Sequence, residues 1–196
     1  MRDTRRIVLL ATLTAIVIVL QLFGAFIRFG PFSVSLVLMP IAVGSALLGV
    51  FAGGWLGLIF GIVVLATGDA NVFITIDPFG AIFTVLAKGI FAGLSAGVAY
   101  KLLSKFSKTL GAVAAAIICP IVNTGIFVLG MYVFFFGTLT EWSMAAEVVS
   151  ATAFLFITMI GLNFFIELGL NTILSPVIVR LIQFGESKNY YSLSNE

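Results

Sequence analysis

Stretches of about 20 apolar residues follow one another along nearly the whole of this 196-residue chain, each long enough as a helix to cross the roughly 30 Å hydrocarbon layer of a bilayer. That feature removes most possible folds. Within lipid, every backbone N–H and C=O has to be bonded inside the protein, so spanning segments are helices or closed barrels. No stretch alternates apolar and polar residues as a membrane strand does. Composition agrees, with 61% hydrophobic and 9% charged residues, against roughly 45–50% and about 25% in soluble domains. The sequence predicts an all-α, polytopic membrane protein with little left over for a soluble domain.

Charges, prolines and glycine clusters are the few interruptions, and they mark segment ends. They divide residues 1–196 into a single domain of six transmembrane helices, at about 7–27, 33–51, 53–67, 79–103, 110–136 and 149–182. The second and third spans form a hairpin around Phe51-Ala52-Gly53-Gly54. Three arginines precede the first apolar run, but that run is longer than a signal core, shows no small-residue cleavage site and leads into further spans, so it reads as helix one. Short cytoplasmic loops are enriched in Lys and Arg. With both termini cytoplasmic, Arg2, Arg5, Arg6, Lys101, Lys105, Lys108, Arg180 and Lys188 lie inside and only Arg28 lies in an outer loop, while Asp69, Asp77, Glu141 and Glu147 lie outside. The net charge of +2 is thus divided across the membrane and implies no nucleic acid partner.

Missing chemistry narrows the function. The chain has no histidine, which removes Ser-His catalysis, histidine metal sites and histidine proton relays. It has no G-x-x-x-x-G-K-[ST] stretch, so any ATP is hydrolysed elsewhere. The acids Asp69 and Asp77 do not form the metal-binding pattern of an intramembrane phosphotransferase, and the one cysteine, Cys119, excludes an internal disulfide. The reading is a non-enzyme without metal or cofactor of its own.

Polar residues inside the spans are the positive signal, because an ionisable group at bilayer depth costs at least about 2.5 kcal/mol unless partnered. Lys88 falls in span four and Glu167 in span six. Asn163, Glu167 and Asn171, spaced four apart, make one polar stripe on a helix, and Asn123 and Thr124 follow Pro120 in span five. One reading makes Lys88 and Glu167 an ion pair that locks two helices, with the asparagines as interhelical glue, and Glu167 as the residue best suited to that structural role. The other makes them the lining of an outward-opening cavity for a polar, water-soluble ligand. Small residues recur every four positions as Ala11 and Ala15, as Gly53, Gly57 and Gly61, and as Gly89, Gly93 and Gly97, clearing helix faces for close approach. GVFAGGWLGL (49–58) and GIFAGLSAGV (89–98) also look alike.

Taken together, six spans in under 200 residues, the A-x-x-x-A pattern Ala11-Thr-Leu-Thr-Ala15, the stretches RRIVLLATLTAIVIVLQLF and GPFSVSLVLMPIAVGSALLGVFAG, and the ending IELGLNTILSPVIVRLI resemble the substrate-binding S component of an energy-coupling factor (ECF) vitamin transporter, over roughly residues 5–184. The resemblance implies a multi-pass protein of a prokaryotic plasma membrane. It binds a vitamin near the outer face and joins a membrane (T) subunit and two ATPase subunits. It implies that Ala11 and Ala15 contact the T subunit. The loop Gly24 to Phe32 caps the pocket and brings Arg28 and Phe32 to the ligand; Asp69, Asn71 and Trp142 lie in the other outer loops. With Lys88, Asn123, Asn163 and Glu167 these complete the candidate substrate-binding set.

The ligand follows less directly. A riboflavin-type member carries an acidic L-D-F-S-D-x-P-like stretch where this chain has Val34-Ser-Leu-Val-Leu-Met-Pro40, and a folate-type member needs more cations than Lys88 and Arg28. The chain most resembles the pantothenate-like group, whose ligand has one carboxylate, hydroxyls and an amide. Thiamine, a cation, would favour the acidic outer loops and Glu167. A stand-alone proton-coupled transporter using Glu167 is the alternative outside the family.

Overall fold

The computed structural model describes residues 2–24, 28–29, 32–33, 36–173, 177, 179 and 180. Apart from a two-strand ribbon it is helical. Helix α1 (Arg2–Gly24) leads to strands β1 (Arg28–Phe29) and β2 (Phe32–Ser33), antiparallel with Phe29 opposite Phe32. Then come α2 (Leu38–Leu48), α3 (Val50–Thr67), α4 (Asn71–Ile76), α5 (Pro78–Leu103), α6 (Lys108–Phe134), α7 (Phe136–Ala145), α8 (Ala151–Ala153), a π-helical stretch Phe154–Gly161, and α9 (Leu162–Ile173). Among the described residues, five helical segments are long and apolar enough to cross a membrane: Thr4–Gly24, Val50–Thr67, Pro78–Leu103, Lys108–Phe134 and the continuous run Ala151–Ile173.

The expected second span is the main correction. Its helix α2 has 11 residues, about 16 Å at 1.5 Å per residue, roughly half the hydrocarbon thickness. The hairpin turn is also displaced from 51–54 to Gly49, whose φ of 101° lies in the left-handed region that glycine enters without steric cost. Gly53 and Gly54 are buried inside α3 instead. The first span ends at Gly24 and the last begins at Ala151, after the Ser150 hydroxyl accepts from the Ala153 N–H at 3.1 Å. Its expected extension to 182 runs past Arg180, beyond which nothing is described. Two of the expected outer loops contain helices, α4 and α7.

The two glycine stripes have one explanation. Gly53 abuts the Gly93 carbonyl and Gly57 abuts the Gly89 carbonyl, so a Cβ on either would overlap backbone oxygen, and Gly97 lies against Val50. Helices α3 and α5 are therefore antiparallel and in backbone contact. The similar segments 49–58 and 89–98 are packing partners across this seam. Around it, Leu38, Ile41, Leu56, Phe60, Ala92, Ala96, Ala112, Ala115, Ala116 and Cys119 are fully shielded.

Charge sorts to the two ends. The Arg6 guanidinium donates to the Leu48 carbonyl at 3.0 Å, which brings the start of α1 to the Gly49 turn; the Gly97–Val50 contact brings the Lys101 end of α5 there too. At the other end the Gln21 amide donates to Asp69 at 3.3 Å, and Gly80 lies against Phe134. Asp77, expected as a loop acid, is the N-cap of α5. Its Oδ1 accepts from the Gly80 N–H at 3.1 Å, and Pro78 follows at the first helical position, where a missing N–H is harmless. Replacing an N-cap aspartate with alanine removes about 0.5–2 kcal/mol. Asp77→Ala is expected to lower stability by that amount, read as a small fall in the thermal midpoint in detergent.

Candidate functional site

Lys88 stands on α5 ten residues beyond Pro78, about 15 Å along the helix axis and so deep within a spanning segment. Two rings receive its ammonium: Nζ is 5.7 Å from the centre of Phe60 and 5.4 Å from that of Phe127, distances at which the negative ring face attracts a cation. The carboxylates of Glu167 and, more weakly, Asp69 also act on it electrostatically. The amine is half-buried and borders a hollow.

That hollow has a volume of about 90 Å3, and its polar wall is Asp69, Lys88, Asn123, Thr124 and Glu167. Helices α3, α4, α5, α6 and α9, the π-helical stretch and the turn ahead of α4 all contribute. Asp69 comes from the turn ahead of α4. Asn123 and Thr124 come from α6, one turn beyond Pro120, which offers no N–H to the carbonyl of Ala116. Glu167 comes from α9, and Met159 and Ile160 come from the π-helical stretch. Such stretches mark functional sites often. Asn123 is only 5% exposed, and its Oδ1 has no hydrogen-bond partner among the described residues. A buried acceptor in that condition costs about 1–3 kcal/mol, which a donor entering the hollow would recover.

A second hollow of about 140 Å3 adjoins the first. It shares Asp69, Phe73 and Met159 with it and adds Val72, Trp142, Phe154 and Thr158. Phe73 is fixed by edge contacts to Phe135 at 5.2 Å and Phe127 at 6.2 Å, and by a tilted contact to Trp142 at 6.1 Å.

The structure therefore brings Lys88, Asn123 and Glu167 to one cavity and Trp142 to its neighbour. Glu167, read in sequence as the residue best suited to a structural role, borders the cavity. Asn171 is buried and spends its amide on the Glu167 carbonyl at 2.9 Å. Asn71 is exposed at the start of α4, outside both linings. Arg28 and Phe32 are placed by backbone on the ribbon, and Asn163 on α9; their side chains lie outside what is described. Ala11 and Ala15 are both exposed on α1. Sequence reasoning passed over Gln21, 1% exposed, although a glutamine in an otherwise apolar span is the same signal that singled out Asn123.

Residues 5–179 match the family described as the ECF transporter, substrate-specific component. The chain belongs to this family. The S component is also 30% identical over 156 residues, 71% of its own length and 78% of the other's, to a protein of Lactococcus lactis subsp. cremoris described as pantothenic acid transporter PanT. Membership of a transporter family, with several apolar helices of spanning length, makes this S component a multi-pass cell-membrane protein.

Proposed function

We propose that this S component binds pantothenate from outside the cell and delivers it for uptake, in assembly with a T subunit and two ATPase subunits that hydrolyse the ATP. In this reading the chain crosses the bilayer six times, α2 with its flanking residues making the short crossing. Both termini lie in the cytoplasm, and the Asp69–Asp77 end faces out. The proposed binding set is Lys88, Asn123, Glu167 and Trp142, with Arg28, Phe32 and Asn163 carried over from the sequence reading.

One observation carries the reading: Lys88 and the unpartnered Asn123 Oδ1 border the same buried cavity. An ammonium there suits a carboxylate, and a lone amide oxygen suits an N–H or O–H donor. Pantothenate supplies one carboxylate, one amide N–H and two hydroxyls. Lys88 opposes a cationic ligand such as thiamine, while Glu167 and Asp69 in the same wall favour one. The likeness to the Lactococcus pantothenic acid transporter supports pantothenate.

Uptake of labelled pantothenate tests this. Cells making the chain with its T and ATPase partners should accumulate label, and a protonophore should not prevent it while ATP is maintained. Accumulation by the chain alone that collapses with the proton gradient would contradict the proposal. Ala15→Leu, on the exposed face of α1, is expected to lower uptake at least tenfold by blocking close approach of the T subunit. Pantothenate binding by the purified chain should be unchanged by it.

A further inference from the structure

Resting on the pantothenate reading, we infer that the ligand lies across both cavities in one orientation, its carboxylate at Lys88 and its compact, branched, hydroxylated end in the aromatic chamber beside Trp142. Phe73 and Met159 then form the waist between the two ends, and Thr158 is the residue that recognises the branched end.

Size comes first. Pockets for small molecules start at about 300 Å3, and the two hollows, at about 90 Å3 and about 140 Å3, come nearer to that together than either does alone. They share Asp69, Phe73 and Met159, so a ligand too long for one runs past those side chains into the other.

Chemistry then fixes the direction. The inner chamber offers the Lys88 ammonium and the Asn123 amide oxygen, beside the Thr124 hydroxyl and the Glu167 and Asp69 carboxylates. The other is walled by Val72, Phe73, Trp142, Phe154 and Met159, and its polar groups among the described residues are the Thr158 hydroxyl, the Asp69 carboxylate and the Trp142 indole N–H. Asp69 borders both chambers, but a cationic side chain borders only the inner one among the described residues, so a ligand carboxylate is better placed there, while a hydroxyl at the other end can donate to Asp69 or pair with Thr158. Geminal methyl groups fit against the rings and the thioether, which bury apolar surface without asking for hydrogen bonds. The amide linkage falls between, opposite Asn123. Phe73 is held by three aromatic neighbours, which fixes one side of the waist, and elongation at the carboxylate end would meet Lys88 and Glu167.

Calorimetric titration of the purified full chain with pantothenate, panthenol (carboxylate replaced by a primary alcohol) and the analogue lacking the terminal hydroxyl of the branched end tests the orientation. Wild type should bind panthenol at least about tenfold more weakly than pantothenate, since a charge-assisted hydrogen bond is lost, and an N-alkyl amide of pantothenate should not bind. The deoxy analogue should bind about fivefold more weakly than pantothenate. Lys88→Met should abolish the pantothenate–panthenol difference and leave the deoxy difference, and Thr158→Val should reduce the deoxy difference and leave the pantothenate–panthenol difference. The opposite assignment of the two differences, a variant-insensitive pair, or panthenol binding wild type as tightly as pantothenate would overturn the orientation while leaving pantothenate as ligand. Absence of any heat with pantothenate in wild type would instead overturn the proposed ligand, and this inference with it. The wild-type comparison of ligands needs no variant, so a variant that fails to fold does not shield the claim.

Discussion

Lys88→Met is expected to weaken pantothenate binding by about 30-fold to a few thousand-fold while leaving a folded protein. Methionine keeps the apolar stem between Phe60 and Phe127 and removes the ammonium. The bound carboxylate would then sit deep in a spanning region with no cation described beside it. Breaking one side of a buried, hydrogen-bonded charge pair costs about 2–5 kcal/mol, much of it from the charge left behind, and each 1.4 kcal/mol is tenfold in affinity. The unliganded protein gains in one respect, since a buried charge no longer has to be kept out of water, and loses in another, since Glu167 loses an attractive neighbour. These terms oppose each other, so the apo midpoint should move little. Titration calorimetry on wild type and variant reads the first effect and a thermal melt without ligand reads the second. Undiminished affinity in the variant would remove Lys88 from the site.

Gly57→Val should have the largest effect on folding itself. A Cβ at 57 would overlap the Gly89 carbonyl oxygen. Overpacking a core against movable side chains costs about 1–3 kcal/mol; here the obstacle is backbone of the facing helix, which yields only if α3 and α5 separate. That seam is continuous from Gly53–Gly93 to Gly57–Gly89, so separation at one point exposes small residues and carbonyls along it. The expected result is a loss of monodisperse protein in detergent, or a fall in midpoint corresponding to more than about 3 kcal/mol. Gly125→Ala is the control. Nothing lies within 4 Å of a Cβ there, and helical alanine is favoured over glycine by up to about 1 kcal/mol. A Gly57 variant as stable as the Gly125 variant would mean that α3 and α5 do not meet as described.

Which features the sequence reveals follows from what apolar patterning encodes. The long helices were legible because lipid imposes length and forbids charge, and Lys88, Glu167 and Asn123 stood out because a polar group in such a background is rare. Pro78 after Asp77 is equally plain in retrospect as a helix start, yet an acid near a span end reads first as a loop charge. The hairpin turn was misplaced because glycines at 49, 53 and 54 look alike in sequence. Only φ separates Gly49, which turns the chain, from Gly53, which admits the Gly93 carbonyl. Helices α4 and α7 were invisible for a different reason: at 6 and 10 residues they lack the length of a span, and their largely apolar sequences lack the polarity of a loop. Phe73 and Met159 could not be singled out among 20 phenylalanines and 5 methionines, since an apolar side chain facing a cavity and one facing lipid have the same composition. The apolar part of the cavity wall is hidden in this way.

The most direct measurement is a thermal-shift screen of the purified chain against the water-soluble vitamins, because a ligand that binds only the folded form stabilises it by RT ln(1 + [L]/Kd), about 4 kcal/mol at 1,000 times Kd. Pantothenate should raise the midpoint by several degrees in wild type and far less in Lys88→Met, with thiamine, riboflavin and folate giving no shift. A shift with thiamine in place of pantothenate, or a pantothenate shift undiminished in Lys88→Met, would contradict the assignment of this cavity as a carboxylate-binding nutrient site.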